Sequence, residues 1–219
     1  MASLAQNEKK SLQEKLTMLD KLSDNINSKA GKKIMGRVGR DQDLKDRLSI
    51  KFIPTPSDNV NEVLGGGFPR RRTTIVAGAS DSGKTSLALE TIGKQMKIDP
   101  EFVAGWLESE NSLDMKQIEK TFGIDPERFF YIEIDRDGAG EEALDRVEAI
   151  LAAQVVDIMV INSLKCLTPS EEFKKQFNEH TVGLAARLNS KMMRKFTSIV
   201  AESDTAFLII THLTTNIGK

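Results

Sequence analysis

Between residues 8 and 27 the leucines at 12, 16, 19 and 22 fall three or four positions apart, with lysines and glutamates between them. That spacing predicts an amphipathic helix, because it places the apolar side chains on one face. A break at 28–31 follows, and then Lys33-Ile34-Met35-Gly36-Arg37-Val38-Gly39. This stretch reads as a short strand over 33–38 with no hairpin partner beside it in sequence. A helix and a lone strand need a surface to cover them, supplied either by their own domain or by the sheet edge of a neighbouring subunit. Further on the pattern changes. Apolar runs near 73–77, 103–107, 129–134, 157–161 and 206–211 alternate with helical stretches. Apolar strands joined by helices predict an α/β fold with a mostly parallel, helix-covered sheet and its ligand at the carboxyl ends of the strands. The chain is therefore divided into an N-terminal segment, 1–50, and a core, 51–219.

Composition narrows the class. With 219 residues, 39% hydrophobic and 29% charged, the chain supports one sizeable core and a smaller appendage. No apolar run approaches the roughly 20 residues that span a bilayer, and the N-terminus is charged where a signal peptide is apolar. A soluble, intracellular protein without membrane partners is expected. Cys166 is the single cysteine, and with only His180 and His212 beside it in the inventory it offers neither a disulfide nor a zinc cluster. The formal net charge of −1 excludes a uniformly basic nucleic-acid binder but not local patches. Three groups are basic: Lys29, Lys32, Lys33, Arg37 and Arg40; Arg70-Arg71-Arg72; and Lys174, Lys175, Arg187, Lys191, Arg194 and Lys195.

The most specific chemistry lies at Gly78-Ala79-Ser80-Asp81-Ser82-Gly83-Lys84-Thr85, which fits the phosphate-loop pattern G-x-x-x-x-G-K-[ST]. It follows a strand-like stretch and opens the helical stretch that begins with Ser86, which is the context this loop requires. Gly78 and Gly83 let the backbone wrap its N–H groups around a β-phosphate, and the helix aims its positive end at the anion. Lys84 reaches the β- and γ-phosphates, while Thr85 places a hydroxyl on the bridging Mg²⁺. Ser80, Asp81, Ser82 and Ser86 complete the expected nucleotide-binding set.

Beyond the loop, the chain resembles the RecA family of recombinases over nearly its whole length. The resemblance rests on Gly66-Gly67-Phe68-Pro69-Arg70, on Leu107-Glu108-Ser109-Glu110-Asn111-Ser112-Leu113-Asp114 and on Asp157-Ile158-Met159-Val160-Ile161-Asn162-Ser163. Leu167-Thr168-Pro169, Gly183-Leu184-Ala185-Ala186-Arg187 and Met193-Arg194-Lys195 add a run similar to the segment around the family's first DNA-binding loop. The resemblance implies a RecA-like ATPase core that uses ATP and Mg²⁺, forms helical filaments on single-stranded DNA and promotes pairing with a homologous duplex. The filament contact would run through the N-terminal helix and strand 33–38, in the cytoplasm of a bacterium or of a phage-infected one. Glu110 is implied as the catalytic glutamate, with Glu108 as the alternative, and His212 as the residue that feels the γ-phosphate and relays its presence. DNA contacts are implied for Val182, Arg187, Ser190 and Arg194, with Arg187 alternatively held in an ion pair. Phe173 and Phe177 read as a packing pair, with base stacking as the other option.

Three departures stand against the family pattern. Asn162 occupies the position of an aspartate that holds the Mg²⁺ shell, and loss of that charge is expected to weaken cation binding and slow hydrolysis. On that expectation Asn162→Asp raises turnover. The stretch Met115-Lys116-Gln117-Ile118 has no aromatic platform for the base, so ATP preference rests on the resemblance. The residues from Leu213 to Lys219 reach the family's second DNA-binding loop without the strands that follow it, so an exposed sheet edge is expected. Two rival readings remain open: a ring-forming helicase-type motor, and a nucleotide-gated DNA-binding or regulatory protein with weak or no hydrolysis.

Overall fold

The computed structural model describes residues 10–134, 140–173 and 183–213. Two compact units result, 1–50 and 51–219. In the first, helix α1 (Leu12–Ala30) starts at Ser11, whose hydroxyl accepts from Glu14 N while Glu14 returns the bond to Ser11 N, a reciprocal capping box. Gly31, at φ 64°, ends it. The apolar stripe is solvent-facing, with Leu12, Leu19 and Leu22 all exposed.

The stretch expected as a lone strand has no ladder partner among the described residues and turns into a single 3₁₀ turn at Val38–Arg40. Three of its backbone polar groups, at Ile34 and Met35, are met instead by a side chain of α1. Asn27 Oδ1 accepts from Ile34 N and Met35 N at 2.8 and 2.9 Å, and Asn27 Nδ2 donates to Met35 O. One amide thus does locally what a neighbouring strand would do. Helix α2 (Gln42–Leu48), capped by Asp41, closes the unit.

The second unit opens with β1 (Phe52–Ile53), helix α3 (Asp58–Leu64) and β2 (Phe68–Pro69), where β1 and β2 pair antiparallel. Gly67 permits that pairing. At φ 123° a side chain there would put its Cβ 2.2 Å from Ile53 O. The main sheet is built from β3 (Thr73–Gly78), β4 (Ala104–Glu108), β5 (Phe129–Glu133), β6 (Ile158–Asn162) and β7 (Ala206–His212). Its order is β3-β7-β6-β4-β5 with every pair parallel. Helices α4 (Lys84–Ile98), α5 (Met115–Phe122), α6 (Gly140–Ala153), the one-turn α7 (Ser170–Phe173) and α8 (Leu184–Glu202) connect the strands.

Alternation along the strands sends neighbours to opposite faces. Trp106, Val160 and Leu208 pack with α4 and α5, and Leu107, Ile161 and Ile209 with α6 and α8. Burial on both faces explains why these strands read as continuous apolar runs. Phe102, Trp106, Phe196 and Phe207 are fully buried, each contributing about 1.5–3 kcal/mol by removal from water.

The observed fold is α/β, with a five-stranded parallel core that follows an N-terminal helix in sequence. Strand β3 lies at one edge of the sheet, and its Ile75 is 56% exposed. At the other edge, β5 exposes Phe130 and Tyr131.

Candidate functional site: a phosphate-binding cleft

The phosphate-loop residues join the end of β3 to the start of α4. Gly83, at φ 84°, is the residue before the first helical turn, and Asp81 adopts φ 58°. These left-handed positions fold the loop over the helix N-terminus, where unpaired N–H groups collect. Lys84 is 8% exposed and donates to Ala79 O at 2.6 Å, which curls its stem back over the loop. A cleft of about 520 Å³ opens in front, lined by Ser80, Asp81, Ser82, Gly83, Lys84, Thr85 and Ser86. Gly78 closes β3 beside this cleft and is in register with His212 of β7.

Strand ends supply the remaining wall. Glu110 follows β4, His212 ends β7, and His212 Nε2 lies 2.8 Å from Glu110 Oε1. Both side chains are 22% exposed, so they reach the cleft from a mostly dry surface. Burial pushes the Glu110 carboxyl upward, but hydrogen bonds from Ser163 and His212, with the charges of His212 and Lys84, outweigh it. The net result lies below the ordinary value of 4.5. Glu110 is therefore an ionised acceptor at neutral pH.

Glu108 does not face the cleft. It is 1% exposed and its oxygens are engaged inside the fold by Trp106, Asn162, the Glu110 backbone and Ser112. That leaves no free lone pair for an attacking water, so the sequence alternative for the catalytic carboxylate is set aside. Asn162 is fully buried behind the loop, and its Oδ1 accepts from Thr85 Oγ1 at 3.3 Å.

A Mg²⁺–triphosphate fits this donor set. Among the described residues no three His, Cys, Asp or Glu side chains could cage a metal by themselves. Thr85 Oγ1 and Asn162 Oδ1 nevertheless present two neighbouring oxygens at the loop. Mg²⁺ suits such a site, because it keeps waters and takes phosphate oxygens rather than a full protein cage.

The far end of the cleft is apolar, with Leu89, Leu113, Ile118 and Phe122 alongside Asp114 and Gln117. Phe122 gives this wall the aromatic side chain that the stretch 115–118 lacks. It lies four positions beyond Ile118, on the same face of α5, and that helical spacing was the available signal. Gly93 brings α4 against α5 at this point. A Cβ there would lie 1.9 Å from Phe122 O.

Arg187, Ser190 and Arg194 lie on the exposed side of α8, whose other side buries Leu188, Met192, Phe196 and Val200. Among the described residues neither arginine forms an ion pair, whereas Lys195 pairs with Glu148. Val182, Lys174, Lys175, Phe177 and His180 lie outside the described residues. The run Arg70-Arg71-Arg72 is tied into the fold: Arg70 pairs with Asp157 at 2.9 Å and Arg71 donates to Ala201 O. Arg37 grips Asp20, and Lys33 pairs with Asp41. Each of the three basic groups is thus partly neutralised by acids, the third only at Lys195 among the described residues.

A family model described as the RecA N-terminal domain matches residues 17–219. Protein RecA of Thermus aquaticus is 32% identical over 216 residues, which cover 98% of this chain and 58% of that protein. Protein RecA of Aquifex aeolicus (strain VF5) is 33% identical over 210 residues, covering 94% and 57% respectively. For Protein RecA of Treponema pallidum (strain Nichols) the figures are 32% over 209 residues, 95% and 49%. The chain therefore spans about half to three-fifths of the length of these relatives. No helix among the described residues is long and apolar enough to cross a membrane. With a phosphate loop, a parallel sheet in this order and a family match over almost all of its residues, the chain belongs to the RecA family.

Proposed function

We infer that this chain is the nucleotide-binding core of an ATP-dependent DNA recombinase, which assembles on single-stranded DNA and pairs it with a homologous duplex. The observation that carries the reading is the meeting of Lys84, Glu110 and His212 at one cleft, with Glu110 and His212 2.8 Å apart. In it Lys84 and the loop N–H groups hold the β- and γ-phosphates. Bound Mg²⁺, on Thr85 and Asn162, would neutralise charge on the transferring phosphoryl group. Glu110 orients the attacking water, and its lowered pKa keeps it in the accepting form. His212 holds Glu110 in place and, through β7, joins the phosphate side of the cleft to the segment that follows residue 212. Nucleotide and DNA affinities are then coupled, and the coupling is reciprocal.

On the DNA side, Arg187, Ser190 and Arg194, with Val182, grip backbone phosphates without reading sequence. Filament contacts use the exposed apolar stripe of α1 and the segment 33–38, whose partner would be the sheet edge of a neighbouring subunit. The setting is the cytoplasm of a bacterium or of a phage-infected one. Asn162 brings an oxygen and no charge to the cation side, which favours slow hydrolysis and supports the second reading, a nucleotide-gated DNA-binding protein of the same fold.

Fluorescence anisotropy of a labelled single-stranded oligonucleotide, with and without a slowly hydrolysed ATP analogue, tests the proposal. Cooperative binding that requires nucleotide is expected. Arg194→Ala lowers affinity equally for all sequences and flattens the salt slope by about 0.7. Nucleotide-independent binding, or none, rejects the recombinase. Hydrolysis unaffected by DNA leaves the gated binder standing.

A further inference from the structure

Glu108 and Asn162 face each other in register across β4 and β6. Glu108 is 1% exposed and Asn162 not exposed at all. The carboxylate is fully engaged: Oε2 accepts from Trp106 Nε1 at 2.9 Å and from Asn162 Nδ2 at 3.0 Å. Oε1 accepts from Glu110 N at 2.8 Å and from Ser112 Oγ at 3.4 Å. A carboxylate only accepts, so it selects the NH₂ end of the Asn162 amide. The amide oxygen is thereby turned the other way, toward Thr85 Oγ1. The buried Trp106 indole, whose N–H needs an acceptor in the core, pins the carboxylate in turn. Among the described residues no cation pairs with Glu108. A buried charge without a counter-charge is unfavourable, unless a cation arrives nearby.

We propose that Glu108 is a positioning residue for Asn162, turning its amide oxygen to the Mg²⁺ side of the phosphate loop and supplying from β4 the negative charge that residue 162 lacks. The inference rests on the nucleotide reading above. The charge sits on the residue behind the one at the loop, with the amide as the link. This reverses the expectation for Asn162→Asp. An aspartate would put a carboxylate oxygen where the amide nitrogen now lies, 3.0 Å from Glu108 Oε2, and the two anions would repel. A Gln at 108 cannot accept on both sides, so its amide nitrogen opposes either Trp106 Nε1 and Asn162 Nδ2 or Glu110 N.

The test is the affinity of the full chain for a fluorescent, slowly hydrolysed ATP analogue, measured with Mg²⁺ and with EDTA. The ratio of the two dissociation constants reports the help given by the cation and needs no turnover. Glu108→Gln should lower that ratio by about 10-fold or more, as loss of a supporting partner does at metal sites, with the EDTA affinity unchanged. Asn162→Asp alone should fail to raise it. Circular dichroism melting accompanies each variant. Should Glu108→Gln not fold, Glu108→Gln with Trp106→Phe, which removes the indole N–H that a Gln nitrogen would oppose, decides: a lowered ratio supports the proposal and a wild-type ratio overturns it. An unchanged ratio in folded Glu108→Gln, or a rise in Asn162→Asp alone, also overturns it while leaving the nucleotide reading intact. Absence of analogue binding by the wild-type chain removes both.

Discussion

At the scale of single residues, the cleft depends on how burial and hydrogen bonding sort two carboxylates that are two positions apart. Glu108 points into the core, where four donors hold it, whereas Glu110 leaves the strand and meets His212 at the cleft. Glu108 is the last residue of β4 and Glu110 lies beyond it, so strand alternation fixes the direction of the first alone. Glu110→Gln should reduce hydrolysis by about 10²–10⁴-fold with nucleotide binding kept, read by single-turnover assays against equilibrium titration. The same residue gives a pH signature. Its folded-state carboxyl titrates below 4.5, so the stability from its contacts is complete above 4.5 and fades as pH falls through the lower folded value. The difference in urea midpoint between wild type and Glu110→Gln should therefore shrink on acidification below pH 4.5. A gap that stays constant from pH 6 downward to about 3 would contradict this.

At the scale of elements, the packing of α4 on α5 decides the shape of the distal cleft. Gly93 has no room for a side chain, because the backbone of Phe122 occupies the place where a Cβ would go. Gly93→Val should destabilise the chain by about 1–3 kcal/mol through overpacking, read by urea unfolding. It should also weaken nucleotide binding, because displacement of α5 moves Phe122, Ile118 and Gln117, which line the cleft. A variant that loses stability with unchanged nucleotide affinity would show that α5 does not shape the bound site. The sheet elements were legible in the sequence to within a residue or two, since strands buried on both faces appear as apolar runs. The small β1–β2 ladder was not, because two-residue strands carry no period to detect.

At the scale of the whole molecule, apolar surface is left open on α1, on β3 at Ile75 and on β5 at Phe130 and Tyr131. Surface of this kind marks association sites in proteins that assemble. Leu19→Lys with Leu22→Lys should abolish nucleotide-dependent assembly in light scattering and negative-stain imaging while the melting temperature is kept, because both leucines are exposed. A fall in melting temperature without change in assembly would place the stripe against this chain's own core instead. The sequence by itself determined the phosphate loop, the parallel α/β core and the helix at the N-terminus, because each is written in local spacing: a motif, a set of apolar runs, a helical period. Only the tertiary structure decided which carboxylate faces the cleft, that Glu110 meets His212 from 102 positions away, and that Phe122 joins the wall. It also decided that Asn162 is oriented by Glu108 across a strand pair 54 positions apart in sequence. Those relations depend on strand order and register, which bring together residues that no local pattern connects.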